Sequence, residues 1–328
     1  MLPISSMGLN YAVSDERVST GVPRLDVMMD GKGYYKGSSI LISGMAGTGK
    51  SSLAAAFVNG LCRKGKRCMY FSFEESPEQI MRNMRSIGFD LGQWVKKGLL
   101  EFRSMRPQLH GLEMHLATMH KLIQGFAPAG VVVDPVTNLS SIGDTDEIKA
   151  MLTRVIDFLK AQGVTSVFTS LTAGGSAMEQ SEVGISSLMD TWLLLRMVES
   201  ANERNRILYV LKSRGMGHSN QMREFILSDE GIRLLDVYTG AGTVYTGSAR
   251  LVQESKDAAQ ALADQQSAGR RKRELEQEAM SLEAQVRSLK ARLDGMHDDL
   301  KAGAAQEKSR LHAAATERDA IAKARKAD

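Results

Sequence analysis

Ser39-Ile40-Leu41-Ile42-Ser43-Gly44-Met45-Ala46-Gly47-Thr48-Gly49-Lys50-Ser51-Ser52-Leu53-Ala54-Ala55-Ala56-Phe57-Val58 is the stretch that decides the fold. Its middle, residues 44–51, fits the spacing G-x-x-x-x-G-K-[ST] of a phosphate-binding loop. A short β-branched strand precedes it and a run of good helix formers follows. Glycines let the backbone turn so that successive N–H groups face phosphate oxygens. The start of the next helix adds free amides and its dipole. In such a loop Gly47, Thr48, Gly49, Lys50, Ser51 and Ser52 cradle the nucleotide. Lys50 reaches the β- and γ-phosphates and the Ser51 hydroxyl is a ligand for Mg²⁺. An ordinary glycine-rich turn has no need of strand, loop, Lys-Ser pair and helix in this order. The reading is a site for ATP or ADP with Mg²⁺.

Outward from the loop, strands and helices alternate. The pattern predicts strands at 39–43, 68–72, 99–102, 131–134, 165–170, 191–196, 206–212 and 223–227, and helices at 50–64, 77–87, 111–126 and 147–162. The first half reads β-α-β and the second half reads as strands in succession. That implies an α/β fold: a mostly parallel central sheet wrapped by helices and extended by antiparallel strands. Residues 1–16 are polar and irregular and read as a linker, 17–247 as the α/β domain, and 248–328 as a helical tail.

The tail changes character from about Val252, where Ala, Glu, Lys, Arg, Gln and Leu dominate. Ala279, Val286, Leu293 and Leu300 recur every seven residues, as do Leu275, Leu282, Leu289 and Met296. Two such series three residues apart are the a and d positions of a coiled coil. A single amphipathic helix packed on the body is the plainer alternative. Gly303 interrupts the pattern, and the end is expected to fray.

Composition bounds the rest. The chain has 328 residues, 43% hydrophobic and 24% charged, ordinary values for a globular protein. No run of 18 apolar residues suggests a membrane span, and the first residues lack the basic and apolar regions of a signal peptide. Cys62 and Cys68 are the two cysteines. Their C-x5-C spacing matches no common zinc site, and two semi-buried thiols in a reducing cytoplasm is the natural reading. Net charge is +4. Neither body nor tail is strongly basic, which argues against nucleic acid as the main partner.

Two carboxylate positions carry chemistry. Gly130-Val131-Val132-Val133-Asp134 is an apolar strand ending in an acid. Downstream of a phosphate loop, such an Asp holds Mg²⁺ directly or through water. Glu74 and Glu75 follow the strand after the loop, where one of them can take a proton from an attacking water or hydroxyl. On residue type alone they are two surface acids at the start of a helix.

With these residues in place, positions 17–247 resemble the KaiC family, RecA-like ATPases and autokinases of circadian timing systems. The opening Arg17-Val18-Ser19-Thr20-Gly21-Val22-Pro23-Arg24-Leu25-Asp26 resembles the family's entry to its ATPase domains. Phe73-Glu74-Glu75-Ser76 matches its paired catalytic glutamates, the first being taken as general base. Lys212-Ser213-Arg214-Gly215 matches a K-x-R-G strand end whose basic residues, in the family, reach a neighbouring subunit's nucleotide. Ile185-Ser186-Ser187-Leu188-Met189-Asp190-Thr191 matches the segment that carries adjacent phosphorylation sites. Here the pair is Ser186-Ser187 where the best-known members have Ser-Thr. The resemblance implies a Mg-ATP-dependent ATPase and serine autokinase that works between subunits of a hexameric ring. It also implies a KaiB-like partner. The clock members carry two tandem ATPase domains. This chain has one phosphate loop and, with its Ser-Ser segment, is similar to the second, kinase-bearing domain. Its linker-like start fits an excised fragment or a natural one-domain relative. The coiled-coil extension, absent from the best-known members, leaves two rings joined face to face or a tethered partner as its roles. The rivals are a RecA-like recombinase or helicase motor on single strands and a non-catalytic, nucleotide-locked scaffold. His110, His115 and His120 recur every five residues, a spacing that does not share one helix face, so they read as surface or core histidines rather than metal ligands.

Overall fold

Side chains along the central strands point alternately into two apolar cores, and this sets the layers of the body. The structure is a computed structural model that describes residues 13–172, 185–200, 203–240 and 243–325. In chain order it runs β1 (Arg17–Val18), α1 (Pro23–Met28), β2 (Tyr34–Tyr35), β3 (Ser39–Gly44), α2 (Lys50–Arg63), β4 (Cys68–Ser72), α3 (Pro77–Arg85), α4 (Gly92–Lys96) and β5 (Leu100–Ser104). Then come α5 (Leu112–Phe126), β6 (Gly130–Asp134), α6 (Thr145–Ala161), β7 (Thr165–Leu171), β8 (Thr191–Ser200) and β9 (Glu203–Ser213). The last elements are β10 (Arg223–Ser228), β11 (Gly231–Asp236), β12 (Tyr238–Gly240), β13 (Thr243–Tyr245) and α7 (Gly247–Arg325).

Nine strands form one sheet in the order β11-β10-β9-β8-β3-β7-β6-β4-β5. From β8 to β5 neighbouring strands are parallel, and from β8 to β11 they are antiparallel. Side chains of a strand point to opposite faces in turn. Ile40, Ile42, Tyr70, Val132 and Val167 accordingly join the core under α1 and α2, while Leu41, Met69, Phe71, Val133 and Phe168 join the core under α5 and α6. A sheet covered on both faces needs apolar residues at every position, which is why β3, β4 and β6 are buried throughout.

The α/β class and the switch from parallel to antiparallel follow the sequence reading. The edge strand β11 and the short helices α1 and α4 were not anticipated, because short elements carry little periodicity. Strands β8 and β9 are longer than predicted, their hairpin extending to Ser200 and back from Glu203. Residues 1–12 of the expected linker lie outside the described residues.

The chain divides after Glu254 into two compact units. Helix α7 does not fray at Gly303 but continues to Arg325. A single glycine costs about 1 kcal/mol in a helix interior, and the alanine-rich sequence on either side sustains the hydrogen bonding. Its first amides are capped by carboxylates of the body: Gly247 N donates to Glu224 Oε1 (3.1 Å) and Ser248 N to Glu203 Oε2 (3.1 Å). None of the residues of α7 is buried.

Candidate functional site

The phosphate loop connects β3 to α2, and its shape depends on what lies behind it. Gly49 has φ +99°, and a Cβ there would sit 2.6 Å from Cε1 of Phe225 on β10. A Cβ on Gly44 would meet the Leu195 carbonyl oxygen at 2.5 Å. Thr48 Oγ1 donates to the Met45 carbonyl (2.8 Å). Lys50 opens α2 and is 8% exposed. Its Nζ donates to the carbonyls of Gly44 (2.9 Å) and Met45 (2.8 Å). Burial pushes its pKa down, and the charges of Asp134 and Glu74 oppose that shift.

Asp134 ends β6 beside Ser72 at the end of β4. It is 7% exposed. One carboxylate oxygen accepts from the Tyr70 hydroxyl and the other from the Thr169 hydroxyl. Both donors come from neighbouring strands, so the carboxylate is fixed in direction while retaining lone pairs toward the cleft. Glu75 is pinned through its backbone: its N donates to Ser72 Oγ (3.1 Å), and its carbonyl accepts from Ser72 Oγ (2.7 Å) and Ser104 Oγ (3.1 Å). Its side chain accepts from Asn83 Nδ2 (3.2 Å). Burial raises the Glu75 pKa, and the charges of Asp134 and Glu74 raise it further against Arg82. Glu74 is exposed.

These groups meet in one cleft of about 360 Å³, whose walls include Lys50, Ser51, Ser52, Glu74, Glu75 and Asp134. Three carboxylates line one opening, the charges of Asp134 and Glu74 add to burial in raising the Glu75 pKa, and a divalent cation would relieve that repulsion. The ammonium and loop amides suit phosphate oxygens. The donor set thus fits a nucleotide with its cation. Among the described residues no group of three or more His, Cys, Asp or Glu forms a ready metal cage.

The sequence reading missed Arg206. It lies on β9, and its Nε donates to the Gly47 carbonyl (3.2 Å). No local motif marks it; it reaches the loop because β9 pairs with β8 and β8 with β3. Tyr70, Thr169, Asn83 and Phe225 were missed for the same reason.

Lys212, Arg214, Ser186 and Ser187 are brought together, but not at this cleft. Ser186 and Ser187 belong to a short 3-10 turn, Ile185–Ser187. Lys212 Nζ donates to the Ser186 carbonyl (3.0 Å) and Arg214 to the Ser187 carbonyl (2.8 Å). Lys212 is the penultimate residue of β9, and Arg214 lies just past the strand's end at Ser213. Burial lowers the Lys212 pKa, with Arg214 and Lys160 acting in the same direction and Asp190 against. Asp190 itself is held by Lys160 (2.8 Å) and by the Ser39 amide (2.9 Å). The register places this group: Ile40 pairs with Thr191, Thr191 with Ser213, and Gly44 with Leu195. Four strand residues, roughly 13 Å at 3.3 Å each, separate the two ends. The nucleotide cleft lies at the C-terminal edge of the parallel strands and the Ser-Ser turn at the N-terminal edge.

The three histidines differ from one another. His110 precedes α5, His115 is fully buried with Nε2 2.9 Å from the Pro107 carbonyl, and His120 stacks on Phe158. Cys62 and Cys68 are free and fully buried rather than semi-buried. No helix among the described residues is long and apolar enough to cross a membrane.

Comparison with known proteins places this geometry. Residues 18–237 match the family profile described as "ATPase: KaiC". The chain is 53% identical over 246 residues to "Circadian clock protein KaiC2" of Synechocystis sp. (strain ATCC 27184 / PCC 6803 / Kazusa), covering 74% of this chain and 43% of that protein. It is 35% identical over 237 residues to "Circadian clock protein KaiC3" of the same organism, covering 71% and 46%. It is 34% identical over 241 residues to "Circadian clock oscillator protein KaiC" of Synechococcus elongatus (strain ATCC 33912 / PCC 7942 / FACHB-805), covering 73% and 46%. The chain therefore matches less than half the length of each of these relatives.

Proposed function

Because the chain belongs to the KaiC family of RecA-like ATPases, we propose that it is a Mg-ATP-dependent ATPase and serine autokinase of a clock-like or timing system, active between subunits of a ring. The observation that carries this reading is the separation of the two edges. Phosphoryl transfer requires reacting atoms about 3–3.5 Å apart, and Ser186 and Ser187 are far from their own chain's loop. A second copy, its N-terminal edge against the first copy's cleft, supplies what one chain lacks. A ring, six-membered by family resemblance, repeats that contact.

The roles follow from placement. Lys50 and the amides of residues 47–52 bind the phosphates. Ser51 and Asp134 would hold Mg²⁺, which when bound would neutralise charge on the phosphate oxygens. The Tyr70 and Thr169 hydroxyls keep Asp134 aimed at it. Glu74 takes the proton from the attacking hydroxyl or water, and Glu75, fixed by Asn83 and Ser72, positions it. Lys212 and Arg214 of the neighbouring copy stabilise charge on the transferred group, as trans-acting basic residues do. Phosphate on Ser186 or Ser187 adds about −1.5 to −2 charge at the seam, beside Lys212 and Arg214, and so alters subunit packing. The tail pairs copies through its heptads.

Intact mass after incubation with Mg-ATP tests the reading. The chain gains one or two phosphates, and Ser186→Ala with Ser187→Ala gains none. Mixed with that double variant, a Glu74→Gln chain that cannot label itself alone becomes phosphorylated. A Glu74→Gln chain that stays unlabelled in the mixture sinks transfer between copies.

A further inference from the structure

The large heptad residues of α7 are about half exposed or more: Leu282 54%, Val286 49%, Leu289 61%, Leu293 57% and Met296 65%. The face is continuous over 275–300, about 39 Å at 1.5 Å per residue. We propose that it is covered by a second copy of the same segment running antiparallel, with the dyad between Val286 and Leu289. This deepens the reading of the tail as a coiled coil and is independent of the catalytic roles.

Volume decides the direction. In a parallel pair, like faces like. Ala279 would face Ala279 and leave a void, while Met296 would crowd Met296. In an antiparallel pair each a position faces a d position. About that dyad Ala279 meets Met296 of the second copy, Leu282 meets Leu293, Leu275 meets Leu300, and Val286 meets Leu289. The smallest core residue then faces the longest, and every layer is filled.

Charge agrees at the centre. Antiparallel e positions face each other, setting Glu283 against Lys290 and Glu276 against His297. Parallel pairing instead sets Glu278 against Glu283, with Arg271 against Glu276 as its favourable pair. One antiparallel contact, Glu278 with Asp299, is unfavourable and lies toward the ends. Just outside the apolar segment the next core positions are Lys272 and Gly303, and Glu307 is the core position after Gly303. Parallel pairing stacks Lys272 on Lys272, whereas antiparallel pairing sets it opposite Gly303 and within a turn of Glu307. The two bodies then leave from opposite ends of the paired segment.

The experiment uses the full chain. Leu275→Cys and Leu300→Cys chains are oxidised separately and mixed, and remaining thiols are blocked before non-reducing electrophoresis. Antiparallel pairing yields at least tenfold more covalent dimer in the mixture than in either variant alone. Efficient dimer from Leu275→Cys by itself overturns the proposal. Association is measured in parallel by sedimentation. Glu283→Lys weakens it about fivefold and adding Lys290→Glu restores it. Tightening by Glu283→Lys means parallel pairing and overturns the proposal. No cross-link with unchanged sedimentation means that the tails do not pair. That overturns the coiled-coil reading too, while leaving the autokinase reading intact.

Discussion

At the C-terminal edge of the parallel strands, cation and carboxylates share one cleft: Lys50 faces an opening walled by Glu74, Glu75 and Asp134. At the N-terminal edge, Lys212 and Arg214 hold main-chain carbonyls, and the nearby Asp190 is taken by Lys160. Both edges thus place basic groups on neutral carbonyl oxygens. On the proposed reading the first edge takes a nucleotide with its cation, the second clamps an anion brought by a neighbouring copy, and the four strand residues between them keep one chain from closing the gap.

The contrast can be broken at several points. Lys50→Ala should have the largest effect, lowering ATP hydrolysis about 10³-fold through lost phosphate contacts. The far-UV circular dichroism should be unchanged, since the hydrogen bonds of the Lys50 side chain go to loop carbonyls and not to the helix or sheet ladders. Retained turnover would mean that the cleft is not the site. Glu74→Gln should lower turnover about 10²-fold while nucleotide affinity, read by fluorescent-nucleotide titration, stays within about threefold. Lys212→Ala should cost about tenfold, because Arg214 remains. Mixing Lys212→Ala chains with Lys50→Ala chains should restore part of the activity, since some interfaces then pair an intact cleft with an intact clamp. Mixtures no more active than either variant would place Lys212 outside catalysis.

The smallest effect sharpens the electrostatics. The Glu75 pKa is raised in the fold, so its neutral form favours folding: that contribution is complete below the unfolded value and disappears as pH rises through the folded one. Glu75→Gln should therefore melt higher than the parent near pH 7, by at most about 2 °C for a half-exposed group. The advantage should vanish below about pH 4. A lower melting temperature at neutral pH would mean that the Asn83 contact outweighs the repulsion from Asp134 and Glu74.

Legibility in the sequence tracked how local each feature is. The strand, loop and helix around Gly44 and Lys50 are contiguous, so their pattern is their structure. Asp134 and Glu74 could be picked out because Asp134 ends the apolar strand β6 and Glu74 follows β4, both downstream of the loop in an α/β order. The heptads of α7 were visible for the same reason, and their facing volumes are written in residue identity. Arg206, Tyr70 and Thr169 were not visible, since each touches the site from another strand. Gly303 interrupts the heptad pattern without ending the helix, since one glycine is a small cost against a long run of helix formers.

By itself the sequence determined that an α/β sheet carries a phosphate loop, which acids stand near it, and that the tail is a helix with a heptad face. Those properties depend on spacing along the chain. Only the tertiary structure decided that Lys212, Arg214, Ser186 and Ser187 lie together at the far edge from the nucleotide cleft. That distance is set by register between β3, β8 and β9, and register is fixed by how strands bury one another across the sheet.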